Sequence, residues 1–150
     1  MCMGDEQQSI GEILFALGTL SIRQRPRDLS LTALSTLATI ERTGARRLGD
    51  LAVSEGVTQP SMSALVSQLE SLGLADRQAD PSDGRGVRVA ITPAGREHLN
   101  ALRRAGASVF EVLVDKLPPR QVASLRSVLP TFRRMLELAD DDFPSGRSAT

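Results

Sequence analysis

Apolar residues recur at helical spacing from Ser9 to about Arg25, where Ile10, Ile13, Leu14, Leu17 and Leu20 line one face. The stretch RQRPRD ends that helix, with Pro26 as the breaker. Ser30 serves as N-cap for a second helix carrying Leu31, Leu34, Leu37, Ala38 and Ile40 and stopped at Gly44. A short third helix, RLGDLAVSEG, turns Leu48, Leu51 and Ala52 inward and closes at Gly56. Thr58 then caps a fourth helix, which tolerates Pro60 because the first turn needs no N–H there. Its stripe is Met62, Leu65, Leu69 and Leu72, and Gly73 closes it. Two helices separated by so short a glycine-bearing interval have the order of a helix-turn-helix.

Beyond Gly73 the period changes. LADRQAD and VRVAIT alternate like strands, joined by PSDGRG, a loop of turn-forming residues with Arg85 at its tip. In the second run Val87, Val89 and Ile91 share one face, and Arg88 and Ala90 take the other. Thr92 caps a long fifth helix with Leu99, Leu102, Val109, Phe110 and Leu113, broken by LPP. The sixth carries Val122, Leu125, Val128, Leu129, Phe132, Met135 and Leu136, with a kink expected at Pro130. The tail, 140–150, reads as disordered. The expected fold is mainly α (α+β): a winged helix-turn-helix lobe over about 30–92, with terminal helices over about 9–27 and 93–139. Those terminal helices have wide apolar faces and no second sheet to cover, so the simplest packing joins them to a second copy in a twofold dimer.

Composition narrows the chemistry. Formal net charge is zero, yet 17 of the 18 basic residues are arginine and only Lys116 is lysine. Arginine suits bidentate contact with phosphate and guanine. Cys2 is the single cysteine and His98 the single histidine, which excludes an internal disulfide and a multi-histidine zinc site. His98 reads as a polar helix residue. No cofactor is expected. Nothing in the sequence resembles a secretory signal or an apolar span, so a cytoplasmic protein with no membrane partner is expected.

VTQPSMSALVSQLESLGLADRQADPSDGRGVRVAITPAGREHL resembles the recognition helix and wing of the multiple-antibiotic-resistance-regulator (MarR) family of bacterial regulators. The specific parts are QPS, LESLGL, the wing DPSDGRG with its Asp-x-Arg, and ITPAG, in this order and spacing. The resemblance implies a homodimeric repressor on palindromic double-stranded DNA, released by a small hydrophobic or phenolic effector. The buried stripe of the fourth helix leaves Gln59, Ser61, Ser63, Ala64, Ser67 and Gln68 outward. Gln59 can read adenine through paired amide bonds, and Ser61 and Ser63 can meet bases or phosphates. Thr58, Pro60 and Ser67 join them as DNA contacts. Arg85 suits a narrow minor groove, and Arg46 and Arg47 suit phosphates. Asp83 is expected to pair with Arg77 or Arg85 and shape the loop. Leu17 and Leu20 are candidates for lining an effector cleft. The chain departs from the family at Ala64, often arginine there, and at Arg47, where a hydroxyl residue commonly caps the third helix.

Two other classes compete. An enzyme needs positioned acid, base or nucleophile groups, and the carboxylates here are scattered over helix surfaces; no enzyme is expected. A winged helix serving protein contacts without specific DNA binding fits the neutral charge. Steep salt dependence of duplex binding separates it from a DNA reader. Redox sensing is not expected, because Cys2 precedes the first helix and the chain has no tyrosine.

Overall fold

The computed structural model describes residues 3–24 and 27–142, with the backbone alone at 3–6, 24, 84–85 and 140–142. The elements are α1 (Met3–Gln24), α2 (Leu31–Thr43), β1 (Arg46–Arg47), α3 (Leu48–Ser54), α4 (Gln59–Ser71), β2 (Ala75–Asp80), β3 (Asp83–Ile91), α5 (Pro93–Val114) and α6 (Pro119–Asp142). The caps fall where the hydroxyl residues place them. Ser30 Oγ accepts from the Ala33 N–H at 3.1 Å, Thr58 Oγ1 from Ser61 at 3.3 Å and Thr92 Oγ1 from Gly95 at 3.0 Å. Gly56 and Gly73 take φ of 64° and 70°, which lets the chain leave α3 for α4 and α4 for β2 without Cβ strain.

The core lies in the middle of the chain. Leu37 and Ile40 from α2, Leu51 from α3, Met62, Val66 and Leu69 from α4, and Val89 from β3 are fully buried together. Val66 replaces Leu72 in the expected stripe. It lies four residues after Met62 and three before Leu69, on one helix face, whereas Leu72 follows the last helical residue and is 53% exposed. Burial of these side chains supplies about 1.5–3 kcal/mol each before entropy is counted.

The wing differs from the expected loop over PSDGRG. Pro81 and Ser82 alone join β2 to β3, and Asp83 to Gly86 belong to β3. The antiparallel sheet has the order β1-β3-β2, with Arg46 opposite Val89 and Arg47 opposite Arg88. Arg46 and Arg47 therefore form a short strand ahead of α3, not its first turn. Along β2–β3, Asp80 pairs with Asp83 and Ala79 with Val87, so residues 84–86 are accommodated by a bulge. The backbone of Arg85 lies in this bulged strand; its side chain is outside the described residues. Val87 is 47% exposed, because the core face of β3 extends only through Val89 and Ile91.

The ends also run further than periodicity suggests. α1 begins at Met3, since the polar stretch before Ser9 carries good helix formers but no apolar stripe; Gln8 donates to Glu12 at 3.1 Å one turn on. Cys2, Arg25 and Pro26 lie outside the described residues. α6 continues through Pro130 to Asp142, overlapping the stretch expected to be disordered, while 143–150 lie outside the described residues.

α5 joins the two regions. Its start carries Leu99 into the lobe core, and further along Gly106 lies against Ser21 of α1. Arg103 pairs with Glu41 of α2, and this pairing lowers the Glu41 pKa. His98 Nε2 lies 3.3 Å from the Asp28 carboxylate without hydrogen-bond geometry. The tightest approach is at Gly95, where a Cβ would stand 2.1 Å from the Leu74 carbonyl oxygen and 2.7 Å from Ile91 Cγ1. Gly95→Val should therefore destabilise the protein by about 1–3 kcal/mol in chemical denaturation. Gly49→Ala on α3, where a Cβ meets nothing within 4 Å, should leave stability equal or slightly higher.

Candidate nucleic-acid interface

Burying Met62, Val66 and Leu69 obliges the other side of α4 to face outward. Thr58, Gln59, Pro60, Ser61, Ser67 and Gln68 are exposed there, with Ser63 half-buried. Apart from Pro60 these groups are polar, and most lie at the N-terminal half of the helix. Three are already engaged. The Thr58 and Ser61 hydroxyls lie 2.8 Å apart, and Arg77 Nη2 donates to Ser67 Oγ at 3.3 Å. Gln59 therefore stands as the long amide at the head of this face.

Arg77 has a different partner from the expected one. Its Nη1 donates to Glu70 Oε2 at 2.5 Å, so it ties β2 to α4 and does not shape the wing turn through Asp83. The reason is reach: Arg77 is three residues before Asp80 along β2, beside the last turn of α4. Asp83 instead approaches Arg47 Nη2 at 3.7 Å. An Asp83–Arg85 contact falls outside the described side chains. Arg46 is exposed and its Nε donates to Thr43 Oγ1 at 3.0 Å. Leu17 and Leu20, the candidate cleft residues, lie on α1, the first exposed and the second half-buried.

The residue that organises the wing is Asp80, which sequence reasoning missed. Its side chain has no exposed surface. Oδ1 accepts from the Ser82 N–H at 3.0 Å, from Ser82 Oγ at 2.7 Å and from Arg88 Nε at 2.9 Å. Oδ2 accepts from Arg47 Nε at 2.7 Å. The signal was present as Asp-Pro-Ser, since an aspartate accepting from the N–H two residues on is a recognised turn former. Gly86 closes over the group: a Cβ there would lie 3.0 Å from Asp80 Cβ and 3.3 Å from its Oδ2. That glycine supplies close approach as well as turn chemistry.

A three-stranded wing beside a helix-turn-helix whose second helix presents a polar face defines a winged helix-turn-helix. The MarR family model matches residues 29–87. An uncharacterized HTH-type transcriptional regulator of Mycobacterium leprae is 39% identical over 98 residues, covering 65% of this chain and 66% of that protein. The chain thus spans just under two thirds of that relative's length. The transcriptional regulator Tm0710 of Thermotoga maritima has a similar structure, with TM-score 0.75 and 22% identity over 93% of this chain and 99% of that one. A point variant of Staphylococcus aureus MepR, bound to an oligodeoxyribonucleotide, has TM-score 0.62 and 19% identity over 91% and 99% of the two chains. Over residues 29–87 the chain carries the sequence pattern of the MarR family.

The hydroxyl and backbone N–H of Ser82, then Arg47 and Arg88, hold the Asp80 carboxyl far below the ordinary carboxylate range, against the opposing effect of burial. A lowered folded-state pKa stabilises the native protein above the unfolded value of about 3.9 and loses that contribution as pH falls. Asp80→Asn should therefore flatten the decline of unfolding free energy below about pH 5. Denaturant titrations of both proteins across that range measure the difference.

Proposed function

We propose that the protein is a homodimeric transcriptional repressor that binds a palindromic operator, with α4 in the major groove and the wing at the flanking minor groove. The observation that carries this reading is the outward polar face of α4, held rigid by its buried apolar face and flanked by the wing. Gln59 and Ser61 read base edges, with Thr58, Pro60, Ser63 and Ser67 beside them. Arg85 enters the minor groove, and Arg46 meets a phosphate. The MepR variant, which shares this fold, is bound to an oligodeoxyribonucleotide, and that supports DNA as the partner here.

Homodimerisation is supported by uncovered apolar surface. Ile10, Ile13 and Phe15 on α1, Val112 and Leu113 on α5, and Leu129 and Leu136 on α6 are exposed, and α6 makes only slight contact with the rest of its own chain. Patches of that extent mark association surfaces. A small hydrophobic or phenolic effector, held near Leu17 and Leu20, adjusts the spacing of the two lobes.

Selection of bound duplexes from a random pool, followed by titration at two salt concentrations, tests the reading. An enriched inverted repeat with steep salt dependence is expected; binding to no duplex would leave a winged helix for protein contacts. Gln59→Ala and Ser61→Ala should each reduce operator-over-random discrimination, by about 1–3 kcal/mol for a paired base contact. Arg85→Ala should lower the log–log salt slope by about 2 per dimer, one phosphate-lined groove for each wing. Sedimentation at low micromolar concentration should give twice the 16.1 kDa chain mass. Removing residues from Leu117 onward should abolish that dimer.

A further inference from the structure

The wing holds two arginines in an arrangement that a simple phosphate-binding surface does not need. Arg47 and Arg88 face each other across β1 and β3, and like charges directly opposite are unfavourable in a sheet. Both send their Nε–H into one carboxylate, that of Asp80, at 2.7 and 2.9 Å. Arg88 Nη2 also donates to Ser82 Oγ at 3.2 Å, and Arg47 Nη2 approaches Asp83. The carboxylate itself is sealed from water, whereas the two guanidinium side chains remain 47% and 35% exposed beside a groove that Arg46 also lines. Two cations at the edge of the interface are thus within reach of solvent, yet their charge is already answered from beneath.

We propose that Asp80 sets the sequence discrimination of this interface by withholding Arg47 and Arg88 from DNA phosphates while fixing the wing turn. The inference rests on the DNA-binding reading above. Phosphate contacts strengthen binding to every sequence alike, so extra free arginines raise random-duplex affinity without helping the operator. A wing held by four hydrogen bonds to one buried carboxylate presents its strand in one geometry, which base-specific docking requires. Asp80 is a positioning residue in this scheme: it acts through the arginines and touches no DNA. It also revises the expected role of Arg47, which becomes part of the clamp and not a phosphate contact.

The test uses the full chain, an operator duplex selected from a random pool, and a random duplex of equal length, each titrated across a salt series. Asp80→Asn keeps the shape and removes the charge. It should steepen the random-duplex slope by about 0.9 for each arginine that reaches a phosphate. Operator-over-random preference should fall about fivefold or more, the scale of one lost base contact. Adding Arg47→Gln and Arg88→Gln to Asp80→Asn should return the random-duplex slope to the parent value. Reduced binding to both duplexes with an unchanged or shallower slope would overturn the proposal, because Asp80 would then be a scaffold alone. If circular dichroism shows that Asp80→Asn does not fold, Arg47→Gln and Arg88→Gln in the otherwise parental chain decide. Unchanged random-duplex slopes support the proposal, and a fall in slope overturns it. Should the parent bind no duplex at any salt, the DNA-binding reading fails and carries this inference with it. A parent that binds while the variants fail these expectations overturns the Asp80 inference alone.

Discussion

A carboxylate without access to water has to find its hydrogen bonds inside the protein, and the wing is arranged around that requirement. Asp80 draws on three pieces of chain: Arg47 from the strand before α3, the Pro81–Ser82 turn through Ser82, and Arg88 from the middle of β3. A carboxylate cut off from water and left unpaired is strongly destabilising, so these donors are needed as a set. Their convergence fixes the register of β1 on β3 and tightens the hairpin to a two-residue turn. It also explains why glycine follows Arg85, since Gly86 lies against the Asp80 side chain. The wing edge is thus held by buried hydrogen bonds, and the helix side by Met62, Val66 and Leu69, which anchor α4.

The remaining structure answers a second constraint, the uncovered apolar surface of the terminal helices. α5 begins inside the lobe, where Gly95 allows contact with the Leu74 carbonyl, and leaves it alongside α1, where Gly106 meets Ser21. Any shift between terminal helices and lobe is thus transmitted along one continuous helix, with the Glu41–Arg103 pair as a second tie. That arrangement suits the proposed dimer, in which the paired lobes must keep a set distance.

Most of the fold was legible in the sequence because its signals are local. Ser30, Thr58 and Thr92 cap as their hydroxyls predict, and Gly44, Gly56 and Gly73 end helices at positive φ. The polar face of α4 followed from the period of its apolar face. What escaped depends on contacts between distant residues. Nothing in RRLGD reveals that Arg47 reaches 33 positions along the chain to Asp80, and Arg77 finds Glu70 only once β2 lies against α4. The turn residues of PSDGRG suggested a loose loop; bulged pairing to β2 makes most of it strand. A helix stripe in sequence does not show where the helix stops, which is why Leu72 and not Val66 stands in the expected stripe.

In the proposed complex two copies of α4 read the major groove of one duplex, and the two wings read the flanking minor grooves. Dimethyl sulfate protection on a selected operator measures both at once, since it reports guanine N7 in the major groove and adenine N3 in the minor groove. Two blocks of N7 protection are expected, related by symmetry and about one helical turn, roughly 34–36 Å, apart, with N3 protection outside each block. Protection confined to one groove, or absent at concentrations where the duplex is fully bound, would contradict it.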